Sequence, residues 1–240
     1  IHSGDFFIVQ RDANHFLSEA IALIKRMGKV VIFEIDDLLT ELPDFLGHHK
    51  FLIDNKNYLQ QSLIDSTLIT TTTARLAGEL KKYNQNVEVV PNCAGCHSVE
   101  LRNHFDVIPS NVSVIVASSD RVLVDMVTKP IYDIQQKYHI QVIAIGPIST
   151  ALSKAGIKIK EYDIMPYDDF LNLARSVDNL IGVIPLDSSL FSSCKSPIKY
   201  FDYSLSGVPT VASKVAPYVD FIEHEKTGLL VKNTDSEWFG

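Results

Sequence analysis

The chain has 240 residues, 46% hydrophobic and 21% charged, enough for one large domain or two of about 100 to 130 residues each. A formal net charge of −7 argues against a nucleic-acid binder, which needs a basic surface for its phosphate contacts. No apolar run approaches the roughly 18 to 20 residues that cross a bilayer, so a transmembrane helix is not expected.

In chain order, residues 6–10 read as a short buried strand and residues 14–27 as a helix that Gly28 punctuates. The β-branched run 30–35 is a second strand. A helix is expected over 55–64, a strand over 68–70, a helix over 74–83 and a strand over 87–90, with Asn84 and Asn86 in the turn between. The stretch 93–110, rich in His, Asn and Cys, reads as an interdomain connection able to hinge.

Beyond it the alternation continues. Strands are expected at 112–117, 140–145, 157–159, 180–184, 210–212 and 228–231, with helices at 122–138 and 167–174. Strands separated by helices imply right-handed crossovers and a parallel sheet in each half. Ligands of such sheets bind beyond the carboxyl ends of the strands, and two sheets facing each other would enclose a cleft.

The most informative stretch runs from Lys195 to Pro209. It reads as a helix with Lys195, Lys199, Asp202 and Ser206 on one face, spaced i, i+4, i+7 and i+11. Ser192 and Ser193 offer a cap, Pro197 fits a first turn, and Gly207 with Pro209 ends the run. A helix start bearing two lysines after a strand suits a diphosphate, and a carboxylate further along suits a sugar hydroxyl. The same spacing also describes an amphipathic surface helix with solvated charges.

Other candidates sit at strand ends. Asp36 and Asp37 close the 30–35 strand; neighbouring residues on a strand face opposite ways, and either could cap the next turn or pair with Arg11 or Lys29. Residues 70–73, a run of threonines, either open onto the cleft or cap the helix that begins at Ala74. Cys93-Ala94-Gly95-Cys96-His97 matches the attachment sequence of a c-type haem, and the Cys pair could also start a zinc or redox site with Cys194, His97 and His104. Three cysteines, an odd number, argue against a disulfide framework and fit a reducing cytoplasm.

The 195–209 stretch, with 210–213 and His224-Glu225-Lys226-Thr227-Gly228 beyond it, resembles the donor-binding half of family 4 glycosyltransferases of the GT-B fold. Val89-Val90-Pro91-Asn92 is similar to the end of that family's first domain, with Cys93 where Gly is usual. The resemblance implies two Rossmann-like domains facing a cleft, an acceptor-side domain at 1–106 and a nucleotide-sugar donor domain at 107–240, the first of them possibly truncated. It implies a retaining transfer of a sugar from a nucleotide diphosphate donor to a glycan or other acceptor, as in polysaccharide biosynthesis, in the cytoplasm. No metal or further cofactor is implied, because cationic side chains take over that work. Lys195 and Lys199 would meet the diphosphate, Asp202 the ribose, backbone near Ile164 and Met165 the base, and Ser118 and Ser119 the donor phosphates. Asp36 falls where the family's acceptor-side catalytic residue stands, and Lys199 would share in catalysis. Two departures stand out: Ser118 and Ser119 stand where Gly is usual, and Cys194 occupies the place of the first of two family glutamates, for which Asp187 could substitute. The beginning at Ile1 and the ending at Gly240 give the expectation of a longer natural polypeptide with other domains. A non-catalytic nucleotide-sugar-binding or scaffolding module is the alternative.

Overall fold

The computed structural model describes residues 5–43, 50–93, 95, 111–118 and 121–240, without the side chains of 121–124. Its contacts divide into two units: Ile1–Asn92 with Ser189–Ser196, and Cys93–Ser188 with Pro197–Gly240.

The first unit runs β1 (Phe6–Gln10), α1 (His15–Arg26), β2 (Val30–Glu34), α2 (Lys50–Asp54), α3 (Lys56–Asp65), β3 (Leu68–Thr71), α4 (Ala74–Leu80) and β4 (Val87–Val89). Local chemistry sets these boundaries. Asn14 caps α1 by accepting from the Leu17 amide at 2.9 Å, and Lys25 and Arg26 lie in its last turn, where cations suit the helix dipole. Thr73 caps α4 through the Leu76 amide at 3.1 Å, so the cap reading of the threonine run holds for this residue.

The four strands are parallel and ordered β1-β2-β3-β4. Right-handed crossovers in a sheet that winds in one direction put every helix on the same face. Phe7, Val9, Val31, Phe33 and Ile69 meet Ile21, Ile24, Leu59, Leu63, Leu76 and Leu80 there in one core. On the opposite face Phe6 pairs with Val30, and Ile8 with Ile32, which in turn pairs with Leu68. None of these five joins the core, and Phe6 and Ile8 are 59% and 64% exposed.

The second unit runs β5 (Ser113–Ala117), α5 (Arg121–Tyr138), β6 (Gln141–Ile145), α6 (Ile148–Lys154), β7 (Ile159–Tyr162), α7 (Tyr167–Ser176) and β8 (Leu180–Ile184). After α8 (Leu190–Ser193), which belongs to the first unit, come α9 (Ile198–Leu205), β9 (Thr210–Ser213), β10 (Leu229–Val231) and α10 (Asp235–Phe239). All six strands are parallel, in the order β10-β9-β8-β5-β6-β7. The chain starts in the middle, winds outward to β7, returns to β8 and winds outward the other way. Helices therefore cover both faces. Ile115, Ile143, Leu180 and Ala212 face Ala174 and Tyr203, whereas Val114, Val116, Val142 and Ala144 face Val127, Ile131, Leu152 and Trp238.

Three expectations need correction. The strand expected at 157–159 begins at Ile159 and extends to Tyr162, while Ile157 is buried ahead of it. The helix expected from Lys195 begins at Ile198 instead, with Pro197 at its N-cap position and no side-chain cap. A proline restricts the residue before it to extended geometry, so the helix cannot run back through Ser196. Ser192 and Ser193 do not cap it: Ser189 caps the separate α8, accepting from the Ser192 amide at 3.1 Å. Helix α6 was not expected, because Pro147 at its N-cap position supplies no polar cap signal.

Candidate functional site

Both α7 and α9 follow a parallel strand, so their first turns lie on the carboxyl side of the second sheet, where ligands of such sheets bind. The switch point falls between β5 and β8, adjacent strands whose outgoing connections diverge. Ser118 follows β5, Gly146 follows β6, Ile164 and Met165 follow β7, and Asp187 follows β8. Three of these ends converge: a Cβ on Gly146 would lie 3.3 Å from the Ile164 side chain and 3.8 Å from the Ser118 carbonyl oxygen. Gly146 has φ +82°, a backbone that disfavours any side chain. Ile164 is 76% exposed, whereas Met165 packs against the core.

The loop carrying Asp187 is held from behind. The Leu186 amide donates to Ser213 Oγ at 2.8 Å, Ser213 Oγ donates to Asn233 Oδ1 at 2.7 Å, and Asn233 Nδ2 returns a bond to the Leu186 carbonyl at 2.8 Å. The backbone next to Asp187 is thereby anchored to the ends of β9 and β10. Further along, Thr227 Oγ1 accepts from the Glu223 amide at 2.9 Å and His224 Nδ1 accepts from the Leu230 amide at 3.0 Å. These bonds give His224 and Thr227 a structural part in the turn before β10.

Asp202 is the least solvated of the candidate carboxylates. It is only 9% exposed, on α9, and its Oδ1 accepts from the Tyr167 hydroxyl at 2.8 Å. Burial raises its carboxyl pKa above the ordinary value, against the Tyr167 hydrogen bond and the Lys199 charge, which both act to lower it. The Tyr167 hydroxyl is pushed up to about 12, by burial first and then by its bond to Asp202. Beneath them Tyr203 lies across Gly182 of β8, where any Cβ would come within 2.5 Å of the ring. The 195–206 sequence face is thus not a solvated stripe: Asp202 and Ser206 are buried, and Ser206 Oγ donates to the Asp202 carbonyl at 3.0 Å.

Lys195 stands elsewhere. It lies between α8 and α9 in the first unit, its ammonium 2.9 Å from Asp37 Oδ1 and 4.4 Å from the Phe191 ring centre. Asp37 Oδ2 also lies 3.7 Å from Arg11, whose guanidinium donates to Asp36 Oδ2 at 3.2 Å. Arg11 Nε is 3.1 Å from Asp36 Oδ1, close enough for an ion pair but not aligned as a hydrogen bond. Two cations and two carboxylates therefore neutralise one another at the carboxyl ends of β1 and β2, and the Arg11 pairing weighed from the sequence is present. Cys194 is buried in the same unit's core, its thiol pKa raised by burial, and its carbonyl accepts from Thr73 Oγ1 at 2.9 Å. Thr73 thus both caps α4 and ties down the returning segment.

Ser119 lies outside the described residues, as do Cys96, His97 and His104, while Cys93 is exposed. Among the described residues no cluster of three His, Cys, Asp or Glu side chains could hold a metal ion. No described helix is long and apolar enough to cross a membrane.

No family model and no curated protein matches the sequence. Solved structures do. TarM superposes with a TM-score of 0.60 at 15% identity, over 95% of this chain and 45% of TarM. Anabaena HepE, crystallised with UDP and glucose, gives 0.60 at 13% identity over 97% of this chain and 66% of HepE. The lipopolysaccharide outer core galactosyltransferase WaaB gives 0.57 at 15% identity over 97% of this chain and 63% of WaaB. The chain has a GT-B fold. This GT-B chain spans about half to two thirds of the length of those structures. Of the side chains read from the sequence, Lys199 and Asp202 come together on α9, and Lys195 and Asp36 belong to the ionic cluster of the first unit. Tyr167 was missed, because nothing in its local pattern distinguishes it from any aromatic residue at a helix start.

Proposed function

We propose that this chain carries the donor-binding part of a glycosyltransferase, one that moves a sugar from a nucleotide diphosphate to a glycan or other acceptor with retention at the anomeric carbon. The observation that carries the reading is the buried Asp202 beside Lys199, on a helix that starts at the carboxyl side of a doubly wound sheet. A buried carboxylate costs stability, which makes it a candidate for a site that uses it, and here it suits the hydroxyls of a ribose. Lys199 and the start of α9 would neutralise the departing diphosphate, the main electrostatic demand of such a transfer, without calling on a metal. The loop holding Ile164 and Met165 would meet the base, Ser118 and Ser119 the phosphates, and Asp187 a sugar hydroxyl. Lys195 is engaged by Asp37, so the reading leaves the diphosphate to Lys199. Asp36 is the carboxylate assigned to the acceptor side, and the acceptor proposed is a glycan of polysaccharide biosynthesis. The reaction proposed is a cytoplasmic one, a reading that an odd number of cysteines, three, supports.

UDP is the first probe, because HepE was crystallised with it. Calorimetric titration with UDP, followed by transfer or hydrolysis assays over a panel of nucleotide sugars, tests the proposal. Saturable UDP binding with turnover of one donor is expected; no binding by any nucleoside diphosphate would overturn it. Two observations favour the second reading, a nucleotide-sugar-binding module without transfer: Cys194 replaces a carboxylate of the resembled family, and Asp36 is already paired with Arg11. Binding without turnover of any donor is its signature.

A further inference from the structure

We infer that Tyr167 is a positioning residue of the nucleoside site: its hydroxyl holds one oxygen of Asp202 so that the other is presented to the ribose. The inference rests on the donor-site reading above and adds a residue that reading did not contain.

Geometry supplies the argument. Tyr167 is the first residue of α7, two residues beyond Met165, so it joins the proposed base loop directly to the proposed ribose carboxylate. Its hydroxyl lies 2.8 Å from Asp202 Oδ1, an ordinary length for a hydroxyl donating to a carboxyl oxygen. With Oδ1 taken, the ligand hydroxyl is assigned to Oδ2. The Asp202 backbone is fixed independently by the Ser206 bond to its carbonyl, so the carboxylate has little freedom except the rotation that Tyr167 restrains. Tyr167 itself is 47% exposed, so the pair it forms with Asp202 lies at the surface rather than inside the core.

The charge environment agrees. Helix α7 brings Tyr167, Asp168 and Arg175 to this pair, and α9 brings Lys199 and Tyr203. Strands β8 and β9, against which α9 packs, carry no titratable side chain. Tyr167 and Lys199 are thus the groups that favour the ionised form of Asp202, against a burial that opposes it. Removing the hydroxyl should let the carboxyl bind its proton at higher pH.

The test compares the whole chain with Tyr167→Phe and Asp202→Asn by calorimetric titration with uridine and with UDP from pH 5 to 9. Tyr167→Phe should weaken uridine and UDP by the same factor, roughly two- to tenfold, as expected for the net loss of one hydrogen bond that orients the carboxylate without touching the ligand. The acid limb of its binding profile should move to higher pH, a change that mere loss of packing would not produce. The Asp202 carboxyl resonance, followed by NMR in the unliganded protein, should titrate at higher pH in Tyr167→Phe than in the unsubstituted chain. If Asp202→Asn weakens uridine while Tyr167→Phe leaves affinity, acid limb and carboxyl titration unchanged, the positioning role is wrong and the donor site stands. If the unsubstituted chain binds neither uridine nor UDP, the donor-site reading falls and this inference falls with it.

Discussion

The two sheets of this molecule are both parallel and built from similar β-branched strands, yet among the described residues one carries a core on a single face and the other on both. The four-stranded sheet winds monotonically, so right-handed crossovers place α1, α3 and α4 together and leave Phe6, Ile8, Val30, Ile32 and Leu68 outside the core. The six-stranded sheet reverses direction between β5 and β8 and supports a core on each face. Parallel sheets are ordinarily buried on both sides, and among the described residues the first sheet departs from that. Strand order, not strand composition, makes the difference. The same reversal creates the switch point at which the second unit offers a ligand site.

The largest effects should come from the doubly covered sheet. Ile115→Lys and Val116→Lys place a charge in opposite cores, and each should cost more than about 4 kcal/mol in urea unfolding or abolish folding of that unit. If one of the two were tolerated, the claim of two covered faces would be broken. In the four-stranded sheet the response should depend on the face. Phe33→Ala should cost about 3 to 5 kcal/mol, whereas Ile8→Lys should stay within about 0.5 kcal/mol. Equal losses at both positions would show that the exposed face is covered in solution.

Ligand binding sharpens the contrast between the units. Lys199→Ala should weaken UDP about ten- to a hundredfold, the loss of a charge-assisted contact of roughly 1.5 to 3 kcal/mol. Lys195→Ala should change UDP affinity less than about threefold and cost at most about 1 kcal/mol of stability, as a partly exposed ion pair does. A double-mutant cycle with Asp37→Ala should recover that coupling. A large UDP effect at Lys195 would return this lysine to the donor site.

The subtlest test is the pH dependence of Asp202. Its carboxyl pKa is raised in the folded state, chiefly by burial, so the folded state binds more protons than the unfolded chain between the two values. The stability tied to the protonated form is therefore complete below the unfolded pKa of about 3.9 and lost as pH rises through the folded value. Asp202→Asn should be more stable than the unsubstituted chain at neutral pH, with the advantage shrinking as the solution is acidified. Urea midpoints from pH 3 to 8 would show it. A stabilised protein that binds uridine poorly would mark Asp202 as a residue kept for function at a cost in stability.

From sequence alone, β-branched runs and their spacing determined the parallel α/β architecture, because burial between crossover helices demands continuous apolar strands. Every strand expected from them is present, and only at β7 do the bounds differ by more than one residue. The cap at Thr73 and the pairing of Arg11 with Asp36 were legible too, since both use neighbours that strand ends bring close. The face shared by Lys195, Lys199 and Asp202 was not real, because Pro197 divides it and the 189–196 segment follows the core of the other unit through Phe191 and Cys194. Only tertiary structure could decide that, as it depends on where apolar side chains more than a hundred residues away find room. The Tyr167 bond to Asp202 has the same origin: residues 35 apart meet because α7 and α9 pack side by side, a relation that no local periodicity records.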